Sequence, residues 1–294
     1  MSARGCRVRV PASSANLGPG FDSFAAAVDL TLELEVVEAG AFSIEAEGLD
    51  VPENRENLCV RSFEALGSAE EFSFVIRSEI PMAGGLGSSA AATVAGLLAA
   101  DHLLDLSLDR QEILSRAAEI EGHADNAAAA LYGGFVVCDP GSGGSTGVTS
   151  LEVPAGIDGV LVIPSTDRVP TVEARAALPE EVPLHEASEN IAAAARLILG
   201  IERSDAELIS SGLADRLHQP RREHLFPRSM QLVSEAASCG ALGATISGAG
   251  PSVLVWTRAE EGDSVLTALV PLIAGWGEAR RIDFSADGAG VSAS

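Results

Sequence analysis

Residues Gly84 to Ala100 read GGLGSSAAATVAGLLAA: a glycine- and serine-rich turn that runs directly into an apolar, alanine-rich segment. Gly84, Gly85 and Gly87 permit positive φ and close backbone approach. Ser88 and Ser89 stand where a helix of about Ser89 to Leu104 begins. Their hydroxyls and the free N–H groups of the first turn therefore point the same way as the positive end of the helix dipole. With Leu86 inside it, the turn reads as an anion cradle, a phosphate site that needs no lysine. The bland alternative is a tight turn with a serine N-cap. A third reading is a dinucleotide fingerprint, because Gly85 to Ala90 fits GxGxxA. That motif requires an acidic residue about 20 positions on, ending a second strand. Asp105 has the spacing but follows a helix, and another helix comes next.

Composition bears on the same point. The chain has 294 residues and a formal charge of −23, and all 19 of its Lys and Arg residues are arginine. The absence of lysine rules out a Walker A lysine, a pyridoxal-phosphate Schiff base and a lysine nucleophile. So acidic a chain repels nucleic acid and anionic membranes, so neither is expected as a partner. If it binds an anion, it must gather its few cations, or a metal, at that place. A solvated acidic surface also predicts activity that tolerates high salt. The start, MSARGCRVRV, lacks a signal-peptide core, and no apolar run is long enough to span a bilayer, which leads to the expectation of a cytoplasmic protein. Cys6, Cys59, Cys138 and Cys239 form no CxxC pair and read as reduced, mostly buried thiols.

The periodicity around the cradle suggests α+β layers. TLELEVVE alternates as a strand with one wet face, and FSIEAEG is expected as its antiparallel neighbour. ENLCVRSFEALG, the segment after Asp109, a region from His185 to Leu217 and SMQLVSEAASCG read as helices. The Gly-rich segment Pro140–Ser150 is a candidate boundary. Two units follow, residues 1–154 and 155–294, each with helices on a mostly antiparallel sheet.

Four further motifs carry candidate chemistry. In EIEGHADN, Glu121 offers an oxygen for Mg²⁺, which with a cradle serine would supply the countercharge that lysine cannot; His123, Asp125 and Asn126 crowd the same turn. The alternative is a solvated helix end with Asp125 as cap. In VPASSANLGPGFD, a loop between strands, Asp22 could receive an ammonium group and Asn16 a hydroxyl, against the alternative that these side chains bond their own backbone. In VPTVEARAALP, a helical reading puts Thr171 and Arg175 on one face, suited to a carboxylate. Arg221 and Arg222 offer one second clamp and one surface charge. ATISGAGPSVLV is either a turn that closes over a ligand or a plain hairpin.

In this order, PASSANLGPGFD, GLGSSA, EGHADNAAAALYGG, TVEARAALP and ISGAGPS resemble the GHMP kinase superfamily, and the combination is most similar to its homoserine-phosphorylating branch. The resemblance implies a two-domain GHMP kinase fold, an N-terminal domain like ribosomal protein S5 domain 2 and a ferredoxin-like C-terminal domain. It implies ATP-dependent phosphorylation of the L-homoserine hydroxyl in threonine biosynthesis, with a homodimer as a candidate assembly. By the same resemblance Gly84 to Ser89 wrap the triphosphate, Ser88 or Ser89 and Glu121 sit at Mg²⁺, and Asn57 lies near the adenine. Asn16, Asp22 and His123 touch homoserine, Arg175 and Arg222 hold its carboxylate beside Thr171, and Asn126, His123 and Arg175 are the catalytic candidates. One departure concerns mechanism: where some members carry a catalytic aspartate, this chain has Asn126. A kinase for another small alcohol and a catalytically silent nucleotide-binding regulator are the competing readings.

Overall fold

The structure is a computed structural model and describes residues 4–82, 84–139, 147–165 and 169–293. Ala83 of the cradle, residues 140–146 of the expected boundary loop, and residues 166–168 lie outside the described residues.

The first half contains β1 (Gly5–Ala15), β2 (Phe24–Glu38), β3 (Ser43–Ala46), α1 (Leu58–Glu64), β4 (Phe72–Ser78), α2 (Ser88–Leu103), α3 (Arg110–Glu121), α4 (Asp125–Tyr132), β5 (Phe135–Cys138) and β6 (Val148–Leu151). The second contains β7 (Ile157–Pro164), α5 (Thr171–Ala176), α6 (Leu184–Arg203), α7 (Ala206–Gly212), α8 (Gln219–Arg222), α9 (Pro227–Glu235), β8 (Gly243–Ile246), β9 (Val253–Arg258), α10 (Gly262–Ile273), β10 (Gly277–Ile282) and β11 (Gly290–Ala293).

Strand β2 shows the expected alternation: Leu32, Leu34 and Val36 are buried while Glu33 and Glu35 are half-exposed. It is the hub of a seven-stranded sheet, flanked by β1 on one side and by β4 and β5 on the other. The segment FSIEAEG does not pair with β2 as expected. The backbone N–H groups of Ala39 and Gly40 both bond Glu71 O, which carries the chain past β4, and β3 then pairs parallel with the far edge of β4. Ser13 and Ser14 also differ from expectation, since they lie in β1 rather than in a loop, paired with Ala27 and Ala26 of β2. The His185–Leu217 region is broken into α6 and α7, where Ser204 takes φ 52° and Asp205 caps the second helix.

The second sheet has the order β10-β7-β9-β8 and is antiparallel throughout. Its central strands β7 and β9 bury both faces. Leu161 and Ile163 of β7 join the core of the first half, and Val160 and Val162 join a second core with Leu232 of α9 and Val265 and Leu269 of α10. Phe135, Trp256 and Phe284 interlock where the halves meet, with ring centroids 4.7–5.8 Å apart. The chain then returns to its beginning, as β11 pairs with β1 in the first sheet. Cys6, Cys59, Cys138 and Cys239 are free thiols. Burial pushes Cys6 up to about 11 and Cys59 and Cys138 up to about 12, which keeps these three protonated and inert.

Candidate active site

Helix α2 starts at Ser88 behind Gly87, which takes φ 68° and has no side chain to cap the first turn. The orphan N–H groups of that turn face a cavity of about 690 Å³ lined by Gly85, Leu86, Gly87, Ser88 and Ser89. The turn is held from two sides. Ser13 N donates to Leu86 O, and Ser247 Oγ donates to Gly85 O at 2.7 Å. Gly248, of the ISGAG turn, donates its N–H to Ala15 O at 3.0 Å. The C-terminal glycine turn is thus part of the cavity wall, not a plain hairpin.

Where α2 meets α3, Ser89 and Glu121 bring oxygen atoms to the cavity. Ser89 Oγ lies 2.7 Å from both Glu121 oxygens, and Thr93 Oγ1 donates to Oε1 at 2.8 Å. Ser88 lines the cavity but makes no such contact; on a helix, residues 89 and 93 share the face that meets α3. Among the described residues no group of three or more His, Cys, Asp or Glu could hold a metal. One carboxylate and one hydroxyl nevertheless fit Mg²⁺, which takes few protein oxygens and fills the rest with phosphate and water.

Further charged groups line the same cavity. Arg175 grips Asp22 in a bidentate pair, Nη1–Oδ2 2.9 Å and Nη2–Oδ1 2.7 Å. The two residues expected to hold opposite ends of an amino acid therefore neutralise each other here. Arg222 is 2% exposed, and among the described residues no carboxylate pairs with it; Nε donates to Ala174 O at 2.8 Å and Nη1 lies 3.2 Å from His218 Nδ1. Burial, reinforced by the like charge of Arg175, pulls its pKa down to about 10. Arg221 pairs with Glu186 instead, so of the two adjacent arginines only Arg222 lines the cavity. The guanidiniums of Arg175 and Arg222 lie 5.7 and 5.5 Å from the centre of the Phe21 ring, one aromatic contact shared by two cations.

Asn16, Leu17 and Asp22 all have positive φ, a cost of order 1–3 kcal/mol each. The Asn16 amide holds this loop: Nδ2 donates to Gly248 O at 2.8 Å, and Oδ1 accepts from Asp22 N at 3.0 Å. Asn16 borders the cavity, but its first task is structural.

In the HADN turn, helix α4 begins at Asp125 itself, and Asp125 is no N-cap. Its Oδ1 accepts from Asn126 N at 2.7 Å and meets His123 Nδ1 at 2.8 Å, and the residue is 2% exposed. Asn126 Oδ1 accepts from Ser13 Oγ at 2.8 Å. The Asp125 hydrogen bond raises the His123 pKa above 6.5 against the opposing effect of burial. Stability from this pair is present in full below 6.5 and is lost as pH rises through the raised folded value. Asp125→Asn removes the dominant cause, and the remaining burial should bring the His123 midpoint below 6.5 in an NMR pH titration. A midpoint still above it would mean another group holds the proton.

Of the residues read from the sequence, Asn16, Asp22, Gly85 to Ser89, Glu121, His123, Asn126, Thr171, Arg175 and Arg222 all border this one cavity. Two do not. Asn57 is buried as the N-cap of α1, its Oδ1 accepting from Cys59 N and its Nδ2 donating to Pro52 O, so Leu58 and Arg61 line the cavity in its place. Gly84 is buried behind the turn, where a Cβ would lie 3.2 Å from Ser252 Oγ. Phe21, Arg61, Thr93 and His218 were missed. Only Thr93 carried a signal, its position four residues after Ser89.

Cradle, oxygen pair and paired charges thus line one cavity. The family descriptions "GHMP kinases N terminal domain" and "GHMP kinases C terminal" match residues 57–134 and 197–271. Homoserine kinase of Thermus thermophilus is 40% identical over 270 residues, 90% of each chain. That of Synechococcus is 38% identical over 275 residues, 90% of this chain and 87% of the relative. The crystal structure of homoserine kinase from Cytophaga hutchinsonii superposes with a TM-score of 0.83 at 29% identity, covering 98% of this chain and 97% of that one. Mevalonate diphosphate decarboxylase of Staphylococcus aureus, at 16% identity and a TM-score of 0.75, shares the fold alone. The class is that of the GHMP kinases, with their two-domain α+β fold and their use of ATP. Within it, the chain belongs to the homoserine kinase family. Among the described residues no helix is long and apolar enough to cross a membrane.

Proposed function

We propose that the chain transfers the γ-phosphoryl group of ATP to the side-chain hydroxyl of L-homoserine, giving O-phospho-L-homoserine for threonine biosynthesis. The observation that carries this reading is the joint lining of one cavity by the anion cradle at Gly85–Ser89 and the Asp22, Arg175 and Arg222 set. Asp22 takes the substrate ammonium and Arg175 and Arg222 its carboxylate, with Thr171 beside them. A zwitterion can part the Asp22–Arg175 pair at little net electrostatic cost, because it returns an opposite charge to each partner. An acceptor with a carboxylate alone leaves Asp22 unmatched.

Ser89 and Glu121 would hold Mg²⁺, which when bound neutralises charge on the phosphates. Backbone N–H groups and the α2 dipole add to that neutralisation. His123 and Asn126 orient the acceptor hydroxyl. Asp125 is engaged by His123 and Asn126 N, so it does not stand ready as a strong base. Positioning and electrostatics can accelerate a loose phosphoryl-transfer transition state, with the hydroxyl proton leaving late. Loss of turnover in Asp125→Asn with both substrate affinities intact would overturn that.

The reading includes a division into residues 1–154, carrying the cradle, and residues 155–294, with β11 returning to the first sheet. It includes a cytoplasmic enzyme and a homodimer, which Leu184, Ile191 and Leu199, exposed along α6, would suit. The test is ADP release with Mg–ATP and L-homoserine, mevalonate, galactose or L-serine in parallel. Turnover confined to homoserine supports the reading. Turnover on another of the four removes its acceptor half, and ATP binding without turnover on any leaves a regulator.

A further inference from the structure

His218 belongs to none of the groups above, yet it is fully buried against Arg222 and Phe21. Its Nε2 lies 2.8 Å from Gly18 O, and its Nδ1 lies 3.2 Å from Arg222 Nη1. A carbonyl only accepts and a guanidinium only donates, so one form of the ring satisfies both: the neutral tautomer with its proton on Nε2. Burial lowers the pKa of His218, in keeping with a neutral ring. The nearest carboxylate, Asp215, 3.5 Å from Nε2, is already occupied by the backbone N–H groups of Leu217, His218 and Gln219.

We propose that His218 is a positioning residue for Arg222: anchored to the Gly18 carbonyl through Nε2–H, it accepts from Arg222 through Nδ1 and so fixes the direction in which the guanidinium offers its remaining N–H groups to the substrate carboxylate. The proposal rests on the reading of Arg222 as a carboxylate clamp. It also ties the clamp to the 16–22 loop that carries Asp22, so both charged ends of the acceptor site share one frame. Because no carboxylate among the described residues pairs with Arg222, this bond and those to Ala174 O and Gly248 O define its orientation.

Two amides separate the ring nitrogens: asparagine can imitate Nδ1, glutamine Nε2. Steady-state kinetics of the full chain with Mg–ATP and L-homoserine should show His218→Gln raising the homoserine KM about tenfold, with the ATP KM within about twofold of wild type. His218→Asn, which keeps the acceptor for Arg222, should stay within about threefold for both. Parallel rises in both KM values, or no difference between Gln and Asn, would overturn the proposal. Arg222→Met serves as reference. If it leaves the homoserine KM unchanged, the clamp reading fails and takes the proposal with it; if it raises that KM while His218→Gln does not, the proposal alone fails. Should the Gln variant not fold, ¹⁵N NMR of the wild-type imidazole decides. The Nε2–H tautomer at pH 7 supports the proposal, and a protonated or Nδ1–H ring overturns it.

Discussion

Arg222→Met is expected to raise the KM for homoserine roughly 100-fold or more, with the KM for ATP near wild type and no fall in thermal midpoint. The two halves of this outcome have one origin. Arg222 is buried, and desolvation holds its pKa at about 10 instead of 12.5. At every pH below that folded value the native state carries the cost of a desolvated charge, about 3 kcal/mol. Methionine is also unbranched and apolar, and it removes that cost. It leaves Ala174 O and His218 Nδ1 without a donor, a loss of about 1–2 kcal/mol each, and gives up the longer contact to Gly248 O, so the two effects nearly cancel. The substrate has no such compensation. A carboxylate brought into this corner without Arg222 loses a charge-assisted partner in a partly dry site, worth about 2–5 kcal/mol. Thermal melts and steady-state kinetics on one preparation check both halves. A large fall in midpoint with both KM values raised would mean that Arg222 is a structural residue.

Such a trade of stability for binding is invisible in the sequence, where QPRREHLFP offers two adjacent arginines of equal standing. On the short helix α8 they point in different directions, and burial alone separates the clamp from the partner of Glu186. Other parts were legible because local chemistry fixes them. Gly85, Gly87 and the serines predicted the start of α2 to within one residue, and the four-residue spacing in TVEAR predicted the shared face of Thr171 and Arg175. What the sequence hid depends on partners far along the chain. Asn57 reads as a ligand contact until α1 is seen to need a cap, and Phe21 matters only because α5 and α8 each bring an arginine within 6 Å of its ring centre. The strand FSIEAEG was correct as a strand but wrong in its neighbour, since β4, which follows it, takes the edge of β2 first.

Gly85→Ala is expected to cut kcat/KM for ATP roughly 100-fold and to lower the thermal midpoint by several degrees. Gly85 has φ 77°, where an L side chain costs about 1–2 kcal/mol. Strain is only part of the effect. An added Cβ would lie 2.2 Å from Ser247 O, 3.0 Å from Gly250 O and 3.1 Å from Gly250 N. All three are backbone atoms of the C-terminal turn, and none can rotate aside as a side chain would. Either the cradle or the ISGAG turn must move, and the bonds from Ser247 Oγ to Gly85 O and from Gly248 N to Ala15 O join the two. The N–H groups of the cradle then lose their alignment, although no charged residue has changed. Gly40→Ala isolates the strain term, because Gly40 has φ 74° and nothing within 4 Å of an added Cβ. That variant should lose about 1 kcal/mol of stability and keep its KM for ATP. If Gly85→Ala behaves like Gly40→Ala, the C-terminal turn packs on the cradle without holding it, and nucleotide binding belongs to the first half of the chain alone.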